Sequence, residues 1–242
     1  MATELDRFIG EYVTALMRRA GYRKSGHTFH KVLGNDDRAF VQLRNYPRGE
    51  AGSCILEVGV ICEPIWDLEN YFAASPFPTM HRDPMNLTAV GTVSWSWQIP
   101  PPERLDIGRW VGSWAYADVA GGRATRGQQI GQVLRDKVLP LLEALLDRDV
   151  LLEVGDAQTL PNGAWTPPHF EVSFQRRAAL LADRGPSTEL DQILQHAERH
   201  RDQLEGLMAV NEQLLQWAPE RLRNGRVWRA RMTAAATKPS QA

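Results

Sequence analysis

The sequence predicts an α+β fold: an antiparallel β-sheet packed by helices on one face, followed by a C-terminal α-helical extension. Three observations carry this expectation. Residues 3–20 hold their apolar side chains at helical spacing. From His27 the apolar period drops to two and stays there through three successive segments. Beyond residue 170 the alternation ceases, and apolar residues recur at spacings of four and three.

In the first helix, Leu5, Phe8, Ile9, Tyr12, Val13, Leu16, Met17 and Ala20 form one stripe. Thr3 is placed to cap its start, and Gly21 fits the left-handed position past its end. "HTFHKVL" then puts Thr28, His30 and Val32 on one strand face, with His27, Phe29, Lys31 and Leu33 on the other. "GNDD" signals a turn, and "RAFVQLRNY" and "SCILEVGVIC" complete a three-stranded meander. "ASPFPTMHRDPMN" is a proline-broken loop. "GTVSWSWQIPPP" is a strand ended by proline, with Trp95 and Trp97 on one face and Ser94 and Ser96 on the other. "RWVGSWAYADV" fits strand or helix equally. "GQQIGQVLRDKVLPLLEALLD" is a helix that Pro140 is expected to bend. "DRDVLLEVGD" adds a short strand or ends the domain.

This reading gives an α+β domain at residues 1–158 and a Pro/Gly-rich linker at 159–169. A helical extension follows at 170–235, then a disordered tail at 236–242. Within the extension, Leu190, Leu194, Ala197, Arg201, Leu204, Met208, Asn211, Leu215 and Ala218 form a heptad seam with two polar members.

Composition narrows the function classes. The 242 residues are 43% hydrophobic and 24% charged, enough apolar material for a packed core. A net charge of -1 argues against nucleic acid held by overall charge. No apolar run reaches the roughly 18 residues a membrane span needs, and the N-terminus lacks the basic start and apolar block of a signal peptide. Cys54 and Cys62 share one predicted strand, about 26 Å apart at the usual rise per residue. That exceeds disulfide reach, so two free thiols and a cytoplasmic location are expected.

The stretch "LMRRAGYRKSGHTFHKVLGNDDRAFVQLRNYPRGEAGSCILEVGVIC" runs from an amphipathic helix into Gly-aromatic-basic-basic, then a short strand with an aromatic residue. A turn, a strand with an apolar-Gln-apolar centre and an apolar-x-apolar-Gly-apolar strand follow. This pattern resembles the bacterial family named domain of unknown function 4304. The matching positions are Gly21, Tyr22, Lys24, Phe29, Gln42 and Gly59, and "KVLPLLEAL" looks like the family's closing helix, with Pro140 in place. The resemblance covers roughly residues 3–150 and implies the fold but no assigned activity. Some families of this size and shape act as immunity or accessory proteins in bacterial toxin systems, an analogy of size and shape alone.

Several residues are candidates for chemistry. His27 and His30, three apart on one predicted strand, point to opposite faces and cannot share a metal. The basic residues around them, Arg23, Lys24 and Arg44 foremost, suit phosphate or an acidic protein surface if they share a face, and otherwise a solvated one. Trp95 and Trp97 fill core or line a groove for a flat ligand or peptide, with His27, His30 or His81 as acid/base. In "HAERH", His196 and His200 are one helical turn apart, but Glu198 lies round the helix from them and no third ligand is evident, so no metal is expected. Arg223, Arg226 and Arg229 around Trp228 suit nucleic acid or an acidic partner, against a solvated helix end. Asp36 and Asp37 sit in a turn, where no burial is expected to tune them. Walker, dinucleotide, nucleophile-elbow and Cys-x-x-Cys motifs are all missing, so no cofactor is expected.

The resulting expectation is a non-catalytic cytoplasmic binding or accessory protein, immunity-like or a complex subunit. It would meet a protein partner or a second copy through the seam of Leu190, Leu194, Arg201, Leu204, Met208 and Asn211. The alternatives are a small-ligand binder or enzyme using Trp95 and Trp97, and more weakly a nucleic-acid binder using the C-terminal arginines.

Overall fold

A computed structural model describes residues 3–45, 52–69, 94–105, 112–117, 122–154, 159–160, 163–167, 170, 172–201 and 211–223. The elements run α1 (Glu4–Tyr12), α2 (Thr14–Arg19), β1 (Arg23–Ser25), β2 (Thr28–Val32), β3 (Arg38–Asn45), β4 (Ser53–Ile61), α3 (Glu63–Glu69), β5 (Trp95–Gln98), α4 (Pro102–Leu105) and β6 (Trp114–Ala115). Then follow α5 (Gly122–Val133), a π-helical turn (Leu134–Val138), α6 (Leu139–Leu145), α7 (Arg148–Val154), α8 (Phe174–Arg184), α9 (Thr188–Arg199) and α10 (residues 211–223). The fold is α+β, with an antiparallel six-stranded sheet and helices toward the C-terminus.

Two compact units divide the chain. The first joins Met1–Glu63, Phe77–Val150 and Thr159–Phe170; the second joins Pro64–Pro76, Leu151–Gln158 and Glu171–Ala242.

The first unit holds the sheet. Its strands lie in the order β1-β2-β3-β4-β5, with β6 also paired to β4. Register fixes two faces. Lys24, Phe29, Val41, Val58 and Trp97 form one cross-strand row, and Arg23, His30, Phe40, Gly59 and Ser96 form the neighbouring row on the opposite face. The inner row buries Phe29, Val41 and Val58 completely. Helices cover that side: α6 touches β4, and Lys31 of the inner face reaches Glu143 of α6 at 3.6 Å. Helix α5 comes so close to α1 that a Cβ on Gly127 would lie 2.3 Å from the Tyr12 ring.

Local chemistry explains the boundaries. The Thr3 hydroxyl accepts from the Asp6 N–H at 3.1 Å while Asp6 accepts from the Thr3 N–H at 2.8 Å, a reciprocal capping box. The Thr3 hydrogen bonds, then His27, hold the Asp6 carboxyl down at about 2. The sequence places a bend at Pro140. The structure instead inserts the π-helical turn just before it, where the Leu139 N–H bonds back to the Leu134 carbonyl. The wider turn removes the need for the N–H that proline lacks. "DRDVLLEV" is a helix because Asp147 caps it, accepting from the Asp149 N–H at 2.9 Å.

The secondary structure described in the second unit is all helical. Ser173 and Ser187 cap α8 and α9. Arg221 donates to Asp67 at 3.2 Å and to Asp183 at 2.9 Å, and the Trp217 indole N–H donates to Asp67 at 2.9 Å. Arg221 thus spends its charge inside the unit.

Candidate functional site on the outer sheet face

The outer face of β1–β3 gathers an unusual set. Ser25 and Thr28 close a two-residue hairpin turn with Gly26 at φ 55°, a geometry that glycine supplies at no steric cost. That turn makes Arg23 the cross-strand partner of His30. On the next strand Arg38 pairs with Val32, diagonal to His30. Val32 is 45% exposed, an apolar side chain left on the surface beside these groups. The row continues to Phe40, which lies over Gly59: a Cβ there would meet the Phe40 ring at 2.6 Å and the Trp95 carbonyl at 2.5 Å.

Among the described residues, the Arg23 and Arg38 side chains have no counter-ion, whereas Arg44, further along the same face, is held by Glu57 at 3.1 Å. His30 is half-buried, and its Nδ1 is a buried atom without a hydrogen-bond partner among the described residues. Burial, then the charges of Arg23 and Arg38, push its pKa below the ordinary histidine value. A second ring proton would be buried unpaired at Nδ1, so the ring stays neutral and carries its hydrogen on Nε2. The site therefore offers two guanidiniums and one imidazole N–H, donors only, and an anion would reverse the electrostatic part of the His30 shift.

Of the other predicted residues, Lys24 points to the inner face, its Nζ 6.0 Å from the Phe29 ring centre, so it does not join Arg23. His27 lies in the hairpin turn rather than on the strand, with Nε2 2.8 Å from Asp6. Trp95 is buried and Trp97 half-buried, and Phe170 stacks on both at 5.7 and 6.1 Å. The groove expected there is filled by the chain itself. Leu160, from the stretch expected as a linker, and Phe170, expected to open the helical extension, are buried in the first unit.

The described members of the heptad seam differ in exposure. Leu190, Ala197, Asn211 and Ala218 are buried, Leu194 and Leu215 half-buried, and Arg201 is exposed. Helix α9 ends at Arg199, and the Asn211 side-chain N–H bonds to the carbonyl of His200, the C-cap residue, at 3.4 Å. Leu204, Met208, Arg226, Trp228, Arg229 and His81 lie outside the described residues; Arg223 is exposed. The His196 and His200 rings stack at 4.1 Å, and no group of three or more His, Cys, Asp or Glu among the described residues is placed to hold a metal.

One charged centre escaped the sequence reading. Asp37 is 1% exposed and forms a bidentate pair with Arg148, both contacts 2.7 Å; its turn neighbour Asp36 takes φ 66°. Burial of Asp37 corrects the expectation for that carboxylate, while Asp36 is exposed as expected. Cys54 is likewise buried, and burial pushes its thiol up to about 12, so it stays protonated at neutral pH.

Comparisons of this chain with protein-family models, with curated proteins and with solved structures return no match.

Proposed function

We propose that this chain is a non-catalytic binding or accessory protein that holds a protein partner on the outer face of its sheet. The carrying observation is the patch of Arg23, His30, Val32 and Arg38, where two unneutralised guanidiniums and an exposed apolar side chain share one face. Arginine and an exposed apolar residue together suit a protein interface. Other groups with chemical potential hold the fold instead: Asp37 with Arg148, His27 with Asp6, and the buried Cys54 thiol. Two reduced, buried cysteines favour a cytoplasmic setting. Among the described residues no helix is long and apolar enough to cross a membrane. Residues 3–150 keep their proposed place beside the domain of unknown function 4304 family.

Of the heptad seam, Leu190, Ala197 and Ala218 are already buried within the chain, which leaves less apolar surface there for a partner. Native mass spectrometry of the chain purified gently from its own cells tests the proposal. The expected result is a complex heavier than the 27.3 kDa chain. Val32→Asp should remove the partner, because it deletes the apolar contact and gives Arg38 an internal counter-ion. Full retention of the partner by a folded Val32→Asp protein rules out this face.

A further inference from the structure

We infer that the outer-face patch takes an extended acidic segment of a protein, its alternate carboxylates bridging Arg23 and Arg38 across His30. This rests on the binding role proposed above and names the chemistry of the partner.

Charge complementarity selects the occupant. Arg23 and Arg38 flank His30 on β1 and β3, without counter-ions among the described residues. They stand two strand spacings apart across the sheet and two residues apart along it, about 12 Å in all. Alternate residues of an extended segment lie about 7 Å apart, within reach of two flexible guanidiniums leaning inward. His30 between them contributes an N–H donor and no negative charge. Glu57, an acidic residue on this face, is engaged by Arg44 at 3.1 Å. Val32 extends the patch with an apolar contact of the sort that a small anion has no use for. Two cations on a chain of net charge -1 provide little of the phosphate neutralisation that nucleic acid requires.

The test uses the full chain and a synthetic Glu-Ser-Glu-Ser-Glu peptide with blocked ends, followed through the His30 ring resonances, which His30→Gln identifies by their loss. The peptide is expected to shift those resonances, and Arg23→Gln and Arg38→Gln are each expected to weaken it by at least about threefold. A Lys-Ser-Lys-Ser-Lys peptide is expected to leave the resonances unmoved. Three results overturn the inference: no His30 shift with the glutamate peptide, wild-type affinity retained in both arginine variants, or tighter binding of a short oligothymidylate at the same resonances. Failure here is separable from failure of the binding role. A native complex that survives Arg23→Gln/Arg38→Gln but is lost in Val32→Asp keeps the docking face and removes the acidic occupant.

Discussion

Arg148→Ala is expected to destabilise the first unit by about 3–5 kcal/mol in urea unfolding, the cost of stranding a buried charge. Asp37 accepts from Nε and Nη2 of Arg148, both at 2.7 Å, from the Glu63 N–H at 2.8 Å and from the Asn35 amide at 2.9 Å. Arg148 also donates to the Asn35 carbonyl at 3.2 Å. Removing the guanidinium leaves the buried carboxylate with neutral donors alone. The same reasoning makes Asp37→Asn/Arg148→Met milder than Arg148→Ala alone, since both charges leave together. A loss below about 1 kcal/mol would class the pair with exposed ion pairs and contradict the burial argument.

Gly59→Ala carries the second large effect, a loss of about 3 kcal/mol, at the upper end for overpacking. The added methyl meets the Phe40 ring at 2.6 Å and the Trp95 carbonyl at 2.5 Å. The ring has room to move only by giving up its buried position, and the carbonyl belongs to the β4–β5 ladder. Phe40→Ala removes one of the two clashes. The double variant should therefore lose less than the sum of the single losses, while remaining below wild type because the carbonyl clash persists. Simple additivity in thermal or urea unfolding would show that Phe40 and Gly59 do not share the space assigned to them.

The parts of the fold that were legible in the sequence are those where period reports burial directly. The stripe from Leu5 to Met17 and the alternation through Phe29, Val41 and Val58 translate into helix and sheet because each apolar side chain has one side to hide. Strand β1 escaped because Arg-Lys-Ser on a sheet edge has no apolar residue to alternate. Without that strand nothing in the sequence could say that Arg23 shares a face with His30 while Lys24 does not. The Asp37–Arg148 pair joins residues 111 apart, and Phe170 reaches back to Trp95 and Trp97. Local spacing is silent about such partners. The heptad seam taught a different lesson: helices packing within a chain and helices packing between chains generate the same repeat. Leu190 and Ala197 are buried within the chain, whereas Arg201 is exposed.

A photo-crosslinking side chain placed at Val32, and in a second protein at the exposed Gln195 of α9, tests the docking face most directly. The native partner is expected to be captured from position 32 and not from position 195. Capture from position 195 alone would contradict this expectation and return the contact to the C-terminal helices.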